Sequence, residues 1–130
     1  MGLRDLITGT RADPIPEDGM GQSLFTELLW AKRFRGLRRR EVVWSDPSEA
    51  DKSAWQEHPD ISRFGDFLVG VAHVAQRRCW IVERIWNGWP DPPEFAFFAM
   101  EAGGEVWAAA DFDRWPAPWR KPPVLREQSA

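Results

Sequence analysis

The chain has 130 residues, of which 43% are hydrophobic and 28% charged, and a formal net charge of −3. A chain of this size buries roughly two-thirds of its unfolded surface around one core, so a single domain suffices; its balance of apolar and charged residues excludes wholesale disorder, and no apolar run approaches the roughly 20 residues of a membrane-spanning helix. A lone cysteine, Cys79, excludes an internal disulfide, and with only His58 and His73 beside it a zinc site is poorly supplied.

Residues 1–20 contain Gly9, Pro14, Pro16 and Gly19 without sustained periodicity and read as an extended N-terminal arm that Leu3, Leu6 and Ile7 could dock. Asp5 comes early and no apolar run follows it, so the segment does not resemble a secretory signal, and a cytoplasmic location is expected. A single α+β domain is expected over 21–114. Ser23 can cap a helix whose apolar residues Leu24, Leu28 and Ala31, with Phe25 and Leu29 beside them, recur at helical spacing; Gly36 is the expected stop.

The end of that helix is strongly basic. Lys32 to Arg40 holds six cations, so the rest of the chain carries −9 against a total of −3. A helix dipole favours cations at its C-terminus by about 0.3–1 kcal/mol each, but three successive arginines beyond the helix exceed that need. Arg35, Arg38, Arg39 and Arg40 are therefore candidate partner-binding residues, set against the simpler reading of a solvated basic face. An acidic protein is the favoured partner; the overall acidity of the chain disfavours a dedicated nucleic-acid binder.

Glu41–Trp44 is short and β-prone. Asp46-Pro47-Ser48-Glu49 then predicts a second helix, with Asp46 as cap, Pro47 at the first helical position and Glu49 three residues after the cap. It should run to about Glu57, ahead of Pro59, burying Ala50, Ala54 and Trp55. Residues 67–75 fit a strand or a helix, and three valines and an interior glycine favour the strand. Cys79–Trp86 alternates apolar residues on both faces, as a central strand does, and places Cys79 in the core. Asn87–Pro93 reads as a loop displaying Trp89, because its prolines prevent pairing. Glu94–Glu101 and Glu105–Phe112 flank Ala102-Gly103-Gly104 as a β-hairpin. The fold expected is α+β: N-terminal helices on a small, strongly curved antiparallel sheet of about four strands. The strand half resembles SH3-like barrels in its short strands, its Gly-Gly hairpin and its tryptophans at strand ends.

From Trp115 onward, Pro116, Pro118 and Pro122 predict an extended, proline- and tryptophan-rich C-terminal tail over 115–130, frayed from 123. The chain holds nine Trp and eight Phe but no Tyr, and only three of its 17 basic residues are lysine, a composition that GC-rich bacterial or phage codons produce. Trp30, Trp80 and Trp107 suit the core. Trp86, Trp89, Trp115 and Trp119 lie at a strand end, in the loop or in the tail, where a small domain has difficulty covering them; they are candidate anchors for a partner, unless the tail folds back on its own chain.

No catalytic set stands out. Asp111 and Asp113 share one side of a strand end, and a small enzyme with its site near His73, Glu83, Asp111 and Asp113 is one alternative; Ser62, His73 and Asp111 can be grouped only on paper. A nucleic-acid module using Arg38–Arg40, with exposed tryptophans as stacking platforms, is another. The favoured expectation is a non-catalytic accessory or adaptor protein with no metal, cofactor or membrane partner. It would dock on a larger assembly through its aromatic loop and tail and its arginines.

Overall fold

The computed structural model describes residues 24–59, 61–85 and 94–125. Two helices, α1 (Leu24–Leu37) and α2 (Glu49–Glu57), flank a four-stranded antiparallel sheet of β2 (Phe67–Val74), β3 (Arg77–Glu83), β4 (Phe95–Met100) and β5 (Val106–Phe112), paired in chain order. A second, two-stranded sheet joins β1 (Val42–Val43) in parallel to β6 (Trp119–Arg120). The chain is thus α+β, but β2 and β5 remain edges and the sheet does not close into a barrel. Among the described residues no helix is long and apolar enough to cross a membrane.

The central position of β3 follows from apolar residues on both of its faces, and β4 beside it is buried at all six positions. Successive strand residues point to opposite sides. Phe97 meets Phe34 of α1 at 5.2 Å between ring centroids, while Phe98 stacks on Phe64 at 6.0 Å on the other face. The Phe98 face also carries Trp80, which His58 approaches edge-on. His58 joins this layer to the β4–β5 hairpin: its Nδ1 accepts from the Ile61 amide at 3.2 Å and its Nε2 lies 3.0 Å from the Gly104 carbonyl.

The β4–β5 turn uses Gly104 at φ 95°, a conformation that suits glycine at the end of a three-residue hairpin loop. The β2–β3 turn has no such residue. Ala75 at φ 51° and Gln76 at φ 66° both take the left-handed backbone that a two-residue hairpin requires and that Asn-Gly would supply at lower cost. Gly65 lies so close to β3 that a Cβ there would come within 2.8 Å of Val82.

Several expectations are corrected at the helices. Burial on α1 falls on Trp30, Phe34 and Leu37, whereas Leu24, Phe25 and Leu28 are exposed and Ala31 is half-buried. The stripe that contacts the sheet is set by Phe34 against Phe97 and by Arg33, which donates from Nη1 to the Trp107 carbonyl at 2.7 Å. Gly36 does not stop the helix, which runs on through Leu37. For α2 the cap is Ser48 rather than Asp46: Ser48 accepts from the Asp51 amide and Asp51 accepts from the Ser48 amide, a complete capping box. Asp46 accepts instead from the Val124 amide at 3.0 Å, tying down the C-terminal segment. Ala50 is exposed, Ala54 half-buried and Trp55 buried.

Cys79 is fully buried, and burial pushes its thiol up to about 12, so it packs as a neutral core residue. Trp107 is half-buried rather than interior. It occupies a bulge in β5, where Ala99 pairs with Ala108 and Met100 with Val106, and its ring contacts the guanidinium groups of Arg33 and Arg77, 4.6 and 3.8 Å from its centroid. Arg77 also pairs with Glu101 at 3.1 Å.

Candidate docking groove

The C-terminal segment crosses the face of the sheet that α1 covers. Pro116 and Pro118 have no amide to donate and cannot extend β5, so the chain turns, with the Trp119 amide donating to the Pro116 carbonyl at 3.0 Å, and re-enters pairing at β6. There Trp119 aligns with Val42, and the Trp44 amide donates to Arg120 at 3.0 Å.

Trp119 is consequently a core residue, 6% exposed, where an exposed anchor was expected. Its ring packs among Phe34, Trp44, Phe97 and Phe112, and its Nε1 donates to the Leu37 carbonyl at 3.1 Å. That carbonyl belongs to the last turn of α1 and accepts from the Arg40 amide as well, so the Trp119 indole fills its second lone pair and serves as a long-range cap on the helix end. Trp115 is half-buried against Trp44, Phe95, Phe112 and Trp119. Residues 115–125 are therefore not a frayed, extended tail: Pro122 and Leu125 are also buried. Trp86, Trp89 and the Asn87–Pro93 loop lie outside the described residues.

The arginines behave oppositely. Arg35, Arg38, Arg39 and Arg40 are all exposed, and among the described residues none forms an ion pair. After α1 the chain tightens, with amides of Arg38, Arg39 and Arg40 donating to Phe34, Gly36 and Leu37, so the cations cluster around the helix end. Arg35, Arg38 and Arg39 form one wall of a groove of about 470 Å3, and Pro116, Ala117 and Pro118 form the other. Trp119 holds the walls together, since it caps the helix on one side and ends the proline turn on the other.

Of the groups proposed for an enzyme, Glu83 and Asp113 line one cavity at an end of the sheet, and His73 lies apart from them. His73 is exposed on the edge strand opposite Arg78, near the β2–β3 turn, whereas Asp111 pairs with Ala96 towards the other end of the sheet. Asp113 accepts from the Glu94 amide at 2.7 Å, a contact between the ends of β4 and β5, and Ser62 donates to the His58 carbonyl four residues earlier, a local turn contact. No group of three or more His, Cys, Asp or Glu side chains among the described residues could hold a metal ion.

Comparison with known proteins found no matching family model, no similar curated protein and no similar solved structure.

Proposed function

We propose that the protein is a non-catalytic accessory or adaptor that acts in the cytoplasm by docking an acidic segment of a larger protein assembly in the groove between the end of α1 and Pro116–Pro118. The observation that carries this reading is the set of arginines at one wall without ion pairs among the described residues. Cations gathered without carboxylates repel one another and attract acidic partners, and guanidinium groups present several donors to each carboxylate. The opposite wall is fixed by proline and by the Trp119 cap, so little ordering is left for binding to cost. Such a groove orients a partner and speeds encounter more than it supplies raw affinity. With Trp115 and Trp119 packed internally, the stacking platforms of a nucleic-acid module are not offered by these two residues.

Fluorescence anisotropy against a glutamate-rich peptide and against single- and double-stranded DNA tests the proposal. Peptide binding that weakens with salt and falls at least about tenfold in the Arg35→Gln, Arg38→Gln, Arg39→Gln triple variant is expected. Tighter binding of DNA than of peptide, lost in the same variant, would replace the adaptor reading with a nucleic-acid one. Binding of neither would end both.

A further inference from the structure

The first turns of α1 leave large apolar side chains in water. Leu24, Phe25 and Leu28 are 37%, 75% and 54% exposed, because the helix turns Trp30, Phe34 and Leu37 to the core and these three lie on its outer side. Single exposed apolar residues are ordinary, but adjoining ones rimmed by charge mark interaction surfaces. Phe25, Leu28, Lys32 and Arg35 follow one another at spacings of three, four and three residues and are all exposed, so they form one line along the helix, about 15 Å long. Arg35, at the end of that line, is also in the wall of the groove with Arg38 and Arg39. The outer face of α1 is thus divided lengthwise, apolar in its first turns and cationic where it enters the groove.

We infer that this face and the groove form one docking surface, and that the partner segment is an amphipathic helix with apolar residues over Phe25 and Leu28 and carboxylates over Lys32, Arg35 and the groove. The inference rests on the docking reading of the groove and adds the form of the partner. A line of side chains at alternating three- and four-residue spacing is the seam along which a second helix packs at a shallow angle, and a docked helix presents its own anchors at the same spacing. The two halves of the line do different work. Phe25 and Leu28 offer apolar area whose burial supplies affinity, whereas the exposed cations are screened by salt and mainly fix direction and register. A second copy of this chain fits poorly: two α1 helices side by side in the same direction set Lys32 and Arg35 against their equivalents, and in opposite directions against Phe25 and Leu28. Neither arrangement sets a carboxylate of this line opposite the cations. A lipid surface takes a helix whose apolar and basic residues lie on opposite faces, and here they share one face end to end.

The probes are alanine-based peptides. One carries two leucines a turn apart at one end and two glutamates on the same face at the other, made in both chain directions; a second has the same composition with the glutamates moved to the opposite face; the third is the glutamate-rich peptide. In fluorescence anisotropy with the full chain, the one-face peptide in one of its directions should bind at least about tenfold more tightly than either of the others. Phe25→Ser with Leu28→Ser should keep the urea midpoint, since both side chains are exposed, remove that advantage and leave the affinity for the glutamate-rich peptide as in the parent. The inference is overturned if the one-face peptide binds no better than the rearranged one in either direction, or if the double variant binds it as the parent does. Binding of the glutamate-rich peptide in those cases leaves the groove reading standing, whereas binding of no peptide removes both. A dimer of the full chain in sedimentation equilibrium, lost in the double variant, would give the face to a second copy. Binding to phosphatidylserine vesicles that is tighter than to the one-face peptide, and lost in the same variant, would give it to a lipid surface; either result overturns the partner helix.

Discussion

The arginine run at the end of α1 and the tryptophans of residues 115–125 look alike in sequence, since both are side-chain types enriched at binding surfaces and both lie beside breaks in regular structure. The fold treats them oppositely. Trp115 and Trp119 join the aromatic layer between α1 and the sheet, while Arg35, Arg38 and Arg39 stay outside around a groove whose far wall those tryptophans hold in place. The difference follows from what each group must satisfy. An indole needs one acceptor, and the Leu37 carbonyl at the end of α1 provides it to Trp119. A guanidinium carries a full charge, which buries only with a carboxylate or a comparable partner. Arg33 shows the boundary: it finds the Trp107 carbonyl and ring and is half-buried, whereas its neighbour Arg35 is exposed.

The largest effect should come from breaking the interior side of this contrast. Trp119→Ala removes a buried ring and should destabilise the protein by about 3–5 kcal/mol in urea unfolding. Trp119→Phe keeps most of the packing and loses the bond to Leu37, and should cost about 1–3 kcal/mol. A mild Trp119→Ala would mean that the C-terminal segment is not part of the core.

Glu83 sharpens the comparison, because it is a half-buried charge that meets another carboxylate instead of a cation. Its folded value, about 7, exceeds the ordinary 4.5, so the native state holds the proton more tightly than the unfolded chain does. That contribution to stability is complete below pH 4.5 and lost as pH rises through about 7. Because the pocket is open to water, the loss should be only about 1 kcal/mol between pH 5 and pH 8. Urea titrations should show this decline in the parent chain, and Glu83→Gln should flatten it. Stability rising across that interval, with no change in Glu83→Gln, would contradict the raised value of Glu83.

A smaller gain is expected where backbone conformation and sequence disagree. Ala75→Asn with Gln76→Gly fits the left-handed pair at the β2–β3 turn and should raise stability by about 0.5–1 kcal/mol. Unchanged or lower stability would indicate a different turn.

What the sequence made legible has a common physical character. The second helix, the strand at 67–75, the central β3 and the Gly-Gly hairpin are written in local period, capping chemistry and turn residues. The core place of Cys79 is local too, since it belongs to an alternating apolar run. What stayed hidden depends on contacts between distant residues. β1 and β6 are two residues each, too short for a period, and their parallel pairing joins Val42 to Trp119. The prolines around Trp119 signalled extended chain but not what that chain would lie against. Asp46 resembled a cap because Pro47 follows it, yet the competing Ser48 capping box won, and Asp46 was left to hold Val124. The groove was half legible: Arg35 to Arg40 announced themselves as a charge run, whereas the wall of Pro116 to Pro118 required the tertiary cap. Glu83 ends β3 and Glu94 precedes β4, and only strand register brings them side by side.

The most direct test of this division sets stability against binding in one variant. Arg35→Gln, Arg38→Gln and Arg39→Gln together should leave the urea midpoint within about 0.5 kcal/mol of the parent, as surface substitutions do, and reduce affinity for the glutamate-rich peptide at least about tenfold. A variant that unfolds would show that the arginines hold the fold together, and one that is stable but binds the peptide as before would show that the groove is not where the partner docks.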